Sequence, residues 1–92
     1  MNTLVDIATS VCARSVRFEG ERMIVTLADD REISVPIDWY PRLAHATIEE
    51  RDNWRLIGDG EGIHWPEVDE DLPVVGIVLG LKPPSSLAAK GR

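Results

Sequence analysis

Asp69 and Asp71 stand two positions apart, and carboxylates so placed are the raw material of general acid–base chemistry. They close a longer acidic stretch, since six acids and no lysine or arginine lie between Asp59 and Asp71. Acids just ahead of a helix also favour its positive end and can cap it, at roughly 0.3–1 kcal/mol each. That structural role is the expectation for this pair. Nucleophilic catalysis needs a serine or cysteine beside a positioned base. Cys12 lies in a weakly patterned segment, and neither His45 nor His64 stands in a nucleophile motif. There is no Gly-x-Ser-x-Gly, P-loop or dinucleotide fingerprint. Gly58, Gly60 and Gly62 are followed by neither a helix nor a basic residue, so they read as a turn, not a phosphate cradle. Zinc lacks cysteines and a His-x-x-x-His spacing. Asp59, Glu61, Asp69 and Asp71 offer oxygens to calcium without the EF-hand order. The expectation is a chain that is not an enzyme, with no catalytic residue, no metal and no cofactor.

Binding is the remaining chemistry. Trp39, Trp54 and Trp65 are the most informative large residues, and core packing is the default for each in a chain with few other aromatics. Trp65 alternates with His64, so one of the two points outward if their strand is half exposed. An exposed member of that pair beside an acidic run would make a binding edge. Arg42 and Arg51 are expected either to pair with nearby acids or to orient the acidic loop. The candidate partner-binding residues are therefore Trp39, Tyr40, Arg42, His64, Trp65, Asp69, Glu70 and Asp71.

Three alternating segments precede this region. Val16 and Phe18 share a face, as do Met23, Val25 and Leu27, and Ile33-Ser34-Val35 continues the period. Period two with β-branched residues signals half-buried strands. The short connections at Glu19-Gly20 and Asp29-Asp30 make the set a three-stranded antiparallel meander with one wet face. Pro36 ends the third strand. Asp38 is the expected cap of a helix starting at Trp39, with Pro41 in its first turn and Trp39, Leu43 and Ala46 on one face. Thr47-Ile48-Glu49-Glu50 is a capping box and starts a second helix. The glycine-rich turn at 58–62 joins a hairpin of 54–57 and 63–65, which Pro66 stops. A last short helix is expected from Pro73, with Asp71 or Leu72 near its cap. Propensity objects, because four of the eight residues from Pro73 to Gly80 are valine or isoleucine. The fold class is α+β: a meander, helices, a second hairpin and a short C-terminal helix. An N-terminal arm (1–12), one domain (13–81) and a disordered basic tail (82–92) divide the chain.

At 92 residues there is room for one domain, which buries roughly 60–65% of its extended surface. A net charge of −6 is unevenly placed. Residues 1–81 hold seven arginines against all sixteen acids, leaving −9, and the tail carries three bases and no acid. Such a body repels a phosphate backbone and favours a basic protein partner. No apolar run approaches the roughly 20 residues that span a bilayer. The first residues have no basic or long apolar region of a signal peptide, and one cysteine makes no internal disulfide. A cytoplasmic setting without membrane contact is expected.

Several segments, taken in order, resemble the bacterial domain of unknown function 2442 family. They are Val35-Pro36-Ile37-Asp38-Trp39-Tyr40-Pro41-Arg42-Leu43, Ala46-Thr47 with Glu49-Glu50-Arg51, Asn53-Trp54, and Gly62-Ile63-His64-Trp65-Pro66 with Asp69-Glu70-Asp71. The resemblance spans roughly 13–81 and implies a small α+β fold. It also implies a place beside another small protein, in pairs that look like toxin–antitoxin modules. Longer relatives add a helix-turn-helix, which these 92 residues lack. Asp30 stands where the family usually has a turn glycine, Ile48 where it has a proline, and Val75 and Val78 where many members are polar. The valines make the last helix apolar nearly all round, which asks for burial or a partner. The leading expectation is an antitoxin-like interaction module whose contact surface is the acidic 59–71 region with the apolar 72–80 segment. The alternatives are a homo-oligomer through 72–80, and a small-molecule or metal-binding enzyme subunit centred on Trp39, His64 and Asp69.

Overall fold

The alternation of apolar and charged residues becomes three strands, β1 (Ala13–Glu19), β2 (Arg22–Leu27) and β3 (Glu32–Pro36), in a computed structural model that describes residues 11–82. Apart from residues 11, 12 and 82, the expected arm and tail lie outside the described residues. The strands pair antiparallel in the order β1-β2-β3. Val16 faces Val25, Phe18 faces Met23, and Met23 and Val25 face Val35 and Ile33, so one side of the sheet is an apolar ladder. Met23, Val25 and Leu27 are fully buried. Asp30 adopts φ 74 in the second turn, and the Asp29 carboxylate secures the following residue by accepting from the Arg31 backbone N–H and from Arg31 Nε.

The expected helix from Trp39 is corrected. Ile37–Trp39 is a single 3-10 turn, and the α-helix, α1 (Pro41–Ala44), starts afresh at Pro41 with Tyr40 as its cap residue and no side-chain cap bond. Pro41 is the cause. A proline's Cδ disfavours helical backbone at the residue before it, and Tyr40 is held at φ −127, ψ 87. Asp38 is exposed and caps nothing. Trp39 is thrown off the helical face to a half-buried position, while Tyr40 and Leu43 enter the core. The capping box forms as expected at α2 (Ile48–Asp52): the Thr47 hydroxyl accepts from the Glu50 N–H, and the Glu50 carboxylate accepts from the Thr47 N–H.

A second antiparallel sheet follows, of β4 (Arg55–Ile57), β5 (Gly62–Trp65) and β6 (Glu70–Pro73), in that order. The expected hairpin is its first half. The third strand replaces the expected capping segment, because residues 70–73 satisfy their backbone against β5, with His64 opposite Asp71 and Trp65 opposite Glu70. Helix α3 (Val74–Leu79) therefore begins one residue beyond Pro73 with no acid in its first turn, and ends at Gly80. Residues 73–80 are thus helical in the main despite their β-branched side chains. No helix among the described residues is long and apolar enough to cross a membrane.

The two sheets share one core, in which Val25, Leu27, Leu43, Ile63, Trp65 and Val74 pack together. Their backbones meet at the glycine turn. Gly60, at φ 105, accepts from the Ala13 N–H at 2.7 Å, and a Cβ on it would stand 2.3 Å from the Ala13 carbonyl oxygen. The neighbouring Glu61 carbonyl accepts from the Val74 N–H at 2.8 Å, tying α3 to the same turn. Trp65 is fully buried, and its Nε1–H donates to the Arg51 carbonyl at 2.9 Å, which fixes α2 over the core.

Candidate functional site

Alternation along β5 and β6 sorts the acidic region into two sides. Ile63, Trp65, Glu70 and Leu72 point inward, and His64 and Asp71 point outward as a cross-strand pair through His64 Nδ1 and Asp71 Oδ1. Glu70 is thus a carboxylate turned toward a core, only 8% exposed. Its one cationic neighbour among the described residues is Arg42 of α1, whose Nη1 stands 3.8 Å from Glu70 Oε1. The same Nη1 donates to the Asp69 carbonyl. Asp69 has φ 56, a left-handed backbone uncommon outside glycine, so Arg42 grips the turn at its most constrained residue. Of the two roles expected for Arg42, orienting the acidic loop is the one that the geometry displays, with a long ion pair added.

Burial pushes the Glu70 carboxyl above the usual carboxylate range. The Arg42 charge opposes this, and Asp71 and Asp69 add to it. Tyr40 lies beside this carboxylate. Burial first, then the charge of Glu70, push its phenol upward, and its hydroxyl has no hydrogen-bond partner among the described residues. Among the described residues, no three of histidine, cysteine, aspartate and glutamate converge to hold a metal.

The structure brings Arg42, Asp69, Glu70 and Tyr40 together and places His64 with Asp71 on the adjoining outer face. Tyr40 and Trp65 are 1% and 0% exposed, so they support this surface from beneath and are corrected from contact residues to core. Trp39 lies edge-on to Tyr40, with the Lys82 ammonium over its ring at 5.8 Å. Trp39, His64 and Asp69, the centre imagined for an enzyme subunit, each engage different partners. Arg51 pairs with no acid among the described residues. Its Nε and Nη2 donate to the Leu43 and Ala44 carbonyls, and its guanidinium lies over the Phe18 ring.

Sequence reasoning pointed to the apolar 72–80 segment, which holds Val75 and Leu79, and missed the exposed Ile48, Leu56, Ile57 and Leu81. Ile48, Leu56, Ile57, Leu79 and Leu81 are exposed, together with Val75. Ile48 was the legible one, a bare aliphatic side chain directly after a capping threonine.

Residues 13–83 match the family described as protein of unknown function (DUF2442). Two solved structures are similar. The crystal structure of a protein of unknown function from Rhodospirillum rubrum has a TM-score of 0.69 and 25% identity, covering 82% of this chain and 93% of that one. The solution NMR structure of an uncharacterized protein from Chromobacterium violaceum has a TM-score of 0.73 and 22% identity, covering 96% of this chain and 81% of that one. The likeness is one of fold. No curated protein matches the chain.

Proposed function

This chain belongs to the DUF2442 family, and on that premise we propose that it is a non-catalytic protein-interaction domain that docks a basic partner. One observation carries the reading. Among the described residues, five of the six exposed large hydrophobic ones, namely Leu56, Ile57, Val75, Leu79 and Leu81, fall between residues 56 and 81, the half of the chain that also holds the acidic stretch. Val75, Leu79 and Leu81 are 49%, 66% and 61% exposed. Apolar side chains left in water beside polar ones are the composition of an interface core and its rim. Asp59 and Glu67 enter no ion pair among the described residues, so the rim is open to a partner's lysines and arginines. Screening confines that attraction to roughly 8 Å at physiological salt, so charge orients the partner while apolar contact holds it.

The finer reading, an antitoxin-like member of a two-gene pair, rests on the resemblance. Self-association through 72–80 is the second reading, favoured by the exposure of Val75 and Leu79. Co-expression with the product of the adjacent gene, followed by affinity purification and light scattering, separates them. The first reading expects a complex that the Val75→Glu/Leu79→Glu double variant loses. A concentration-dependent dimer that the same variant dissolves moves the assignment to self-association. A strict monomer that co-purifies with nothing overturns both.

A further inference from the structure

Opposite residues of an antiparallel pair share a face, so the register fixes what the outer side of the second sheet displays. Two rows cross it from β4 through β5 to β6. Arg55, His64 and Asp71 form one, and Ile57, Gly62 and Pro73 form the other. Arg55, Ile57, Asp71 and Pro73 are exposed, and His64 is half-buried. Gly62 adds no side chain, and Ile57 leans over it, since a Cβ there would stand 3.2 Å from Ile57 Cδ1. This face includes no side chain of α3 and shares only Ile57 with the apolar residues of the proposed interface.

The charged row is left open at both ends. Each of the other arginines among the described residues holds a carboxylate, a hydroxyl or a backbone carbonyl. Arg55 enters no hydrogen bond or ion pair among the described residues, although the chain carries a net charge of −6. At the far end, Asp71 gives Oδ1 to His64 Nδ1, and its side chain is 66% exposed. Two strand spacings, about 9–10 Å, separate the strands that carry Arg55 and Asp71, so the two charges do not meet within one chain.

Such a row is its own complement. A twofold axis along β5, between two copies stacked face to face, lays β4 of each copy over β6 of the other. The operation preserves strand direction, so the rows stay in step. Arg55 of each copy then faces Asp71 of the other, and Ile57 faces Pro73, while Gly62 and His64 lie at the axis. An axis across the strands would set Arg55 over Ile57 or over a second Arg55, and the charges would go unmatched. Sheets stack about 10 Å apart, a gap that an arginine and an aspartate side chain span together. We propose that the outer face of the second sheet is a self-docking surface, on which a second copy of this chain pairs Arg55 with Asp71 reciprocally. The face is only three short strands wide, so the association is weak and calls for protein concentrations up to about 1 mM.

The test is sedimentation of the 92-residue chain up to that concentration, where a monomer–dimer equilibrium is expected. Arg55→Asp alone and Asp71→Arg alone each set like charges opposite one another at two symmetry-related contacts. Each should weaken the dimer at least about tenfold. An equimolar mixture of the two variants restores opposite charges at both contacts, so a mixed dimer should form although both chains remain net negative. Arg55→Asp/Asp71→Arg on one chain should recover the dimer as well. Unchanged circular dichroism spectra check the fold of each variant. Val75→Glu/Leu79→Glu should leave the dimer intact, which separates this surface from α3. A monomer at the highest concentration, a dimer indifferent to either single reversal, a mixture no heavier than its components, or a dimer that only the α3 variant dissolves would each overturn the proposal.

Discussion

Replacing Gly60 by alanine tests the junction on which the whole architecture turns, because there the backbones of the two sheets touch. Three costs add. The φ of 105 is a region that residues with a Cβ avoid, at about 1–3 kcal/mol. The new Cβ would sit 2.3 Å from the Ala13 carbonyl oxygen, a distance that real Cβ atoms do not reach, so strand β1 must move away. That movement breaks the Ala13 N–H to Gly60 carbonyl bond, a net loss of about 1 kcal/mol, with about 1–3 kcal/mol more for the polar group left unpaired. The sum is about 3–7 kcal/mol, against a total stability of about 5–14 kcal/mol for a chain of 92 residues. Gly20→Ala is the control. Gly20 also has a positive φ, of 58, but a Cβ there meets nothing within 4 Å, so only about 1–2 kcal/mol of left-handed strain applies. Urea unfolding followed by tryptophan fluorescence and far-ultraviolet circular dichroism reads both variants. With a slope of about 1 kcal/mol per molar urea, the Gly60→Ala midpoint should fall at least about 1 M further than that of Gly20→Ala. Coincident midpoints would mean that the sheets are not seamed at this turn, and the account of the shared core would fail with it.

Other perturbations act on single contacts. Thr47→Ala removes the hydroxyl half of the capping box and should cost about 1 kcal/mol, a fall of about 4–8 °C in the thermal midpoint, whereas Thr47→Ser should lose little. Tyr40→Phe deletes a buried hydroxyl without a partner among the described residues and should leave the urea midpoint unchanged or raise it; a loss above about 1 kcal/mol would show that the hydroxyl is bonded. Glu70 carries a pH signature. Its carboxyl is raised in the folded state, chiefly by burial, so its contribution is full below the unfolded value of about 4.3 and is lost as pH rises through the folded one. Glu70→Gln should therefore gain on the parent chain between pH 4 and pH 8, and a gap in stability that stays constant over that range would contradict the assignment.

Whatever was local in physics was legible in the sequence. Val16, Phe18, Met23 and Val25 alternate because a strand alternates, and the register places them face to face. Thr47 and Glu50 are the ends of a four-residue segment, and their reciprocal bonds need nothing from elsewhere. The glycine turn at 58–62 was readable for the same reason, although its grip on Ala13 was not. The acidic stretch, too, was visible as a run of residue types.

Folding, by contrast, settled which neighbour each residue would find. The order of residues alone was enough for an acidic α+β chain with a meander, a capped helix and a hairpin. It pointed to a helix cap at Asp71 or Leu72, whereas Glu70-Asp71-Leu72 extends a sheet, because β5 supplies the free strand edge and its backbone groups had to be paired. Pro41, a local restriction, broke the expected face of Trp39 and Leu43, and in the packed chain Tyr40 joins Leu43 in the core while Trp39 stands half out. Arg42 and Arg51 read alike in the chain. One holds the turn at Asp69 and the other caps α1 carbonyls and covers Phe18, because charge seeks the nearest unpaired acceptor, and only the packed chain says where that acceptor lies.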